Sequence, residues 1–120
     1  MKKLYLPAAD AAAAGWEIQV ADGFWTRLRG LLGTKELPEK RGLLLRGCNS
    51  VHMIGMLYAL DIVYLDRAGV IVKIVEDLKP LQLSCCWRAS DTLEIKSGAA
   101  RREGWKVGQT LPWQTKRSNS

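Results

Sequence analysis

The hydrophobic pattern of the chain is made of short pieces with different periods. Trp16-Glu17-Ile18-Gln19-Val20 alternates apolar and polar, which predicts a half-buried strand. Asp22 can then cap a helix on which Phe24, Trp25, Leu28, Leu31 and Leu32 share one face, with Thr26, Arg27 and Arg29 off it and Gly33 as the stop. Gly42-Leu43-Leu44-Leu45 reads as a short buried strand, and residues 48–54 continue extended. The β-branched and aromatic content of 59–65 predicts a strand. Asp66-Arg67-Ala68-Gly69 predicts a turn, and 70–75 a returning strand. Further strands are expected at 86–89 and at 92–95, where Leu93 and Ile95 share a face opposite Thr92 and Glu94. Ser97 can cap a second short helix over 98–103, closed by Gly104. Residues 1–15 have no clear period and read as a loose lead-in, 16–114 as one domain, and 115–120 as a polar tail. Many short strands and two short helices predict a mainly β fold, a compact antiparallel barrel or sandwich whose ends or open edges the helices cover.

Composition narrows the class. A chain of 120 residues buries one core. The net charge of +6 favours loose contact with anionic surfaces, but the basic residues are scattered among acids and apolar residues. That distribution argues for a solvated surface and against specific nucleic-acid binding. Three cysteines are an odd number, and Cys85 and Cys86 are adjacent, so no disulfide framework is expected and a reducing compartment fits. Pro7 and Asp10 interrupt the apolar start before it reaches the length of a secretory signal. No stretch approaches the ~20 apolar residues of a membrane span. The expected location is the cytoplasm.

The order of several motifs resembles the DUF 192 family. It runs Thr26-Arg27-Leu28-Arg29-Gly30-Leu31-Leu32-Gly33, Arg41-Gly42-Leu43-Leu44-Leu45, Cys48-Asn49-Ser50-Val51-His52-Met53, Leu60-Asp61-Ile62-Val63-Tyr64-Leu65-Asp66, Gly69-Val70-Ile71, and Leu93-Glu94-Ile95 with Gly98-Ala99-Ala100, from about Trp16 to about Pro112. The resemblance implies a small β-rich domain of bacteria and archaea with no established activity. The chain departs from the family in two places. Many relatives carry an export signal or anchor where this chain begins nearly at the domain, and relatives often read Gly-Asp where it has Gly108-Gln109.

The densest chemistry lies in Cys48-Asn49-Ser50-Val51-His52-Met53-Ile54-Gly55-Met56, which holds the single histidine. A Cys48–His52 dyad requires contact, yet on a strand these residues sit about 13 Å apart at ~3.3 Å per residue. One histidine without a C-x-x-C pair supplies too few ligands for zinc, so no metal or cofactor is expected. Met53 and Met56 read first as core filling, with a pocket lining as the other use. Of Cys85 and Cys86, one is expected in the core and the other near the surface. If residues 55–58 form a loop between antiparallel strands, His52 faces Asp61, a pair that pins register or binds a ligand. Arg27 and Arg29 are either solvated or poised to hold an anion, and Glu94 is either surface or pocket rim.

These readings favour a non-enzymatic binding or accessory domain for an undetermined small ligand or protein partner. Its candidate residues are His52, Asp61, Cys48, Asn49, Arg27 and Met56. An enzyme using His52 and Asp61 as a general base is the first alternative, and a non-specific nucleic-acid binder, from net charge and the five tryptophans, the second.

Overall fold

The computed structural model describes residues 3–7, 15–21, 37–53 and 56–115. Its strands are β1 (Lys3–Leu6), β2 (Trp16–Ala21), β3 (Arg41–Arg46), β4 (Ser50–His52), β5 (Leu60–Leu65), β6 (Ile71–Leu78), β7 (Leu83–Cys85) and β8 (Asp91–Lys96), followed by the short helix α1 (Ala99–Glu103). Six strands form one sheet in the order β1-β2-β3-β8-β5-β6, and β4 and β7 pair with each other as a ribbon. Every pairing is antiparallel except β2 with β3. A parallel pair needs a long crossover, and residues 22–40 supply the length.

Period two divides the sheet into two apolar faces. On one face Ile18, Leu44, Val63, Leu65, Leu93 and Ile95 pack with Ala99 and Ala100 of α1 and with Leu111. On the other, Leu60, Ile62 and Tyr64 pack with Val51, Met53 and Met56, which come from and follow the ribbon strand β4. Gly42 sits in register between Ile18 and Ile95, where an added Cβ would lie 2.9 Å from the Ile18 Cδ1 and 3.1 Å from the Ile95 Cγ2. Its missing side chain is what lets the two isoleucines meet over β3.

The turn expected at 66–69 forms. The Asp66 carboxylate accepts the amides of Ala68 and Val70, and Gly69 takes φ 81. The second expected helix forms as α1, framed by Gly98 and Gly104 in the left-handed region, but Ser97 does not cap it: Gly98 stands at the N-cap, and the Ser97 hydroxyl donates to the Asp77 carboxylate at 2.6 Å. The helix expected over 22–32, with Arg27 and Arg29, lies outside the described residues.

Four other expectations are corrected. The large sheet does not close into a barrel but ends at β1 and β6. Its edges are partly covered by the chain after α1: Tyr5 and Gln114 exchange backbone hydrogen bonds, and Ile71 does so with Gln109 and Gly108. Part of the stretch read as a loose lead-in is strand β1, because Leu4 and Leu6 alternate with polar neighbours over too few residues to give a period yet are buried. The strand expected at 86–89 is a turn, closed by the Ala89 amide on the Cys86 carbonyl, and the strand precedes it as β7. Glu94 is neither surface nor rim. It is 2 % exposed, because β8 lies between β3 and β5 with both its faces covered.

Candidate functional site

The single histidine lies on β4, and the placement of β4 decides its surroundings. The expected hairpin would pair β4 with β5, but β5 has only two edges and both are taken, by β6 and β8. Strand β4 therefore lifts off the sheet and pairs with β7, matching Ser50 with Cys85, Val51 with Ser84 and His52 with Leu83. Backbone bonds lengthen this ribbon at both ends: the Cys86 amide donates to Asn49, and the Met53 amide to Gln82.

The ribbon is fastened to the sheet by polar contacts around Tyr64. The Tyr64 hydroxyl donates to the Ser84 Oγ at 2.8 Å. Lys73, opposite Tyr64 in register on β6, donates its Nζ to the Cys85 carbonyl at 3.0 Å and stands 6.0 Å from the centre of the Tyr64 ring. Burial pushes the Tyr64 phenol above its ordinary pKa, the Ser84 hydrogen bond opposing this. Between β6 and the ribbon lies an open groove of about 680 Å³, within the range of small-molecule sites. Val51, Val75, Leu78 and Leu83 form its apolar walls, and Ser50, His52, Lys73 and Ser84 supply polar groups. Among the described residues no carboxylate lines it.

The expected His52–Asp61 pair does not form. Asp61 is fully buried and projects to the α1 side of the sheet, away from the ribbon. One carboxylate oxygen accepts the Asp77 amide at 2.9 Å, and the other accepts the amides of Gly98 and Ala100 at 3.0 and 3.1 Å. It thus anchors the start of α1 and the irregular backbone of β6, where Asp77 has φ 56. The general base built on this pair loses its orienting carboxylate.

The other candidates also separate. Cys48 leaves the ribbon face and packs against Ala21, Leu43 and Leu45, while its carbonyl accepts the Thr92 hydroxyl at 2.7 Å. Burial, and then the nearby Asp91 and Glu94 carboxylates, raise its thiol pKa, which disfavours the reactive thiolate. Asn49 is exposed, with its carbonyl on the Cys86 amide. Met56 is 6 % exposed and Met53 fully buried, both in the core under the ribbon. Cys85 is exposed and Cys86 buried, the split expected of adjacent residues on extended chain. Among the described candidates, only His52 lines the groove. Sequence reading missed its companions Lys73, Ser84 and Leu83, although the alternation in Leu81-Gln82-Leu83-Ser84-Cys85 marks a strand.

Two solved structures are similar to this one. A protein from Sinorhizobium meliloti 1021 described as a "putative transcription regulator" superposes with a TM-score of 0.75 at 20% identity, covering 93% of this chain and 92% of that one. A protein of unknown function from Novosphingobium aromaticivorans DSM 12444 gives 0.74 at 19% identity, covering 92% and 84%. At these identities the likeness is one of fold. No curated protein matches the sequence. The model of one family, DUF192, described as "Uncharacterized ACR", matches residues 7–113, nearly the whole chain, and the protein belongs to that family.

Proposed function

We propose that this protein is a non-enzymatic binding or accessory domain whose ligand enters the groove between β6 and the β4–β7 ribbon. The observation that carries this reading is the groove's make-up: apolar walls, the His52 imidazole and the Lys73 ammonium meet in one open cleft with no carboxylate among its described lining. Apolar walls supply affinity, and a few placed polar groups orient what binds. Lys73 is held by a carbonyl and a ring face, so its position is set before a ligand arrives. The three unbridged thiols support a reducing compartment as the place where the domain works.

The enzymatic alternative has lost its proposed machinery, since His52 and Asp61 lie on opposite sides of the sheet. The nucleic-acid alternative gains no base-reading element from the described residues. A thermal-shift screen over metabolites, metals and short oligonucleotides tests all three readings. We expect at least one metabolite to raise the Tm of the wild type and to lose that effect in Ser50→Trp, which fills the groove from an exposed position, and in His52→Ala. Stabilisation that survives Ser50→Trp would place the ligand elsewhere, and stabilisation by oligonucleotides alone would replace the reading with the second alternative.

A further inference from the structure

Four large apolar side chains around the ribbon stand in solvent: Leu57 is 73% exposed, Leu81 76%, Leu83 71% and Trp87 92%. Single exposed apolar residues are ordinary, but a group on one small element marks a contact surface. The ribbon gathers them. The Met53 carbonyl accepts the amides of both Met56 and Leu81, which brings the chain at 57 and at 81 to the same end. Leu83 lies on β7 beside His52, and Trp87 lies in the turn that follows, closed by the Ala89 amide on Cys86.

Positive charge is also present in this region. Lys73, Lys79 and Arg88 flank the apolar group, and among the described residues none of them is ion-paired to a carboxylate. Lys73 and Arg88 instead donate to the backbone carbonyls of Cys85 and Val72. Elsewhere several cations are matched, Lys3 and Arg41 with Glu17, Lys40 with Glu103, Lys96 and Arg102 with Glu39, and Arg101 with Glu76, while Arg46, Arg67 and Lys106 also stand without a carboxylate partner among the described residues. Three of the six described cations without a carboxylate partner thus flank the exposed apolar cluster.

We propose that this face of the ribbon docks on the surface of an anionic lipid bilayer. Leucine and tryptophan side chains enter the boundary between headgroups and acyl chains, where an indole places its apolar ring inside and its N–H among polar groups. The lysine and arginine stems lie along the apolar surface while their charged ends meet anionic headgroups. A second copy of the chain is a poorer occupant, because a two-fold contact through this patch would set its cations against their own equivalents. A fluid surface also accepts side chains that protrude this far without a matching set of pockets. Leu83 and Lys73 belong to the groove lining as well, whereas Leu57, Leu81, Trp87, Lys79 and Arg88 lie outside it, so the inference does not require the groove to hold a ligand.

The test is co-sedimentation of the full chain with vesicles of phosphatidylcholine alone and of phosphatidylcholine mixed with phosphatidylglycerol. We expect binding to the mixed vesicles only, weakened by salt, with a blue shift of tryptophan emission that Trp87→Phe removes. Leu83→Glu with Trp87→Glu, and separately Lys79→Glu with Arg88→Glu, should each weaken binding by about tenfold or more, as expected where apolar insertion and headgroup attraction act together. All four positions are exposed, and circular dichroism of the variants should match the wild type. Absence of binding to the mixed vesicles, or binding that both double variants retain, overturns the proposal. So does a concentration-dependent dimer that Leu83→Glu with Trp87→Glu abolishes while vesicle binding persists, since the apolar group would then serve a second copy.

Discussion

Asp61 has no solvent exposure, and its two oxygens are shared among three backbone amides drawn from β6, from the residue before α1 and from within α1. Hydrogen bonds to a charged acceptor are worth more than neutral ones, and amides left without it stay buried and unsatisfied. Asp61→Ala should cost about 2–4 kcal/mol in urea unfolding, and Asp61→Asn less, since the amide oxygen still accepts at one side. A cost within error for Asp61→Ala would show that water replaces the carboxylate. The cysteines give a second test at this scale. Cys85 is exposed, whereas Cys48 is half-buried, and that burial, together with the nearby acids, raises its thiol pKa. Under mildly alkaline alkylation of the native protein, mass spectrometry of the digest should show Cys85 labelled well before Cys48. Equal rates would contradict the environment assigned to Cys48. The residue types at both positions were plain from the sequence, but their partners were not, because a strand residue's neighbours depend on which strand lies beside it.

Among the elements, those with a strong local signal formed as expected: the alternation at 16–20, the apolar strand at 60–65, and the turn in which Asp66 and Gly69 each have a specific conformational task. The ribbon was illegible for a different reason. Nothing local in Ser50-Val51-His52 says that β5 is already paired on both edges; that is a property of the sheet. Assuming the nearest hairpin instead placed His52 against Asp61, and thereby hid the groove. Two substitutions probe how the elements are joined. Gly42→Ala places a methyl group against Ile18 and Ile95 and should destabilise by about 1–3 kcal/mol, the usual range for overpacking. Tyr64→Phe removes the hydrogen bond to Ser84 and should cost about 1 kcal/mol near neutral pH. It should also change the pH profile. Because the folded-state phenol titrates above the unfolded value near 10, Tyr64 contributes fully below that value and loses its contribution as pH rises through the folded one. Urea midpoints measured across that alkaline range should therefore fall more steeply for the wild type than for Tyr64→Phe, and parallel profiles would rule out a raised phenol.

For the whole molecule, an open sheet has to protect its edges, and here the chain following α1 reaches both. Gly108 and Gln109 bond to Ile71 on β6, and Gln114 bonds to Tyr5 on β1, with Leu111 buried between. Truncation after Lys106 exposes both edges and removes a core side chain, so it should lower the Tm and shift gel filtration from monomer towards aggregates. A truncated chain as stable and monodisperse as the wild type would show that this segment is dispensable. The strand order carries one more consequence, for the time at which the protein can fold as it is made. Strand β8 sits between β3 and β5, so the elements synthesised earlier form two halves that share no ladder until residues 91–96 arrive. On the ribosome, β3 and β5 each wait with an unpaired apolar edge while the intervening chain is translated. That interval is a window for mispairing. Translation that pauses upstream of codon 91 would hold the nascent chain in its most aggregation-prone form, whereas rapid completion of β8 joins both halves at once.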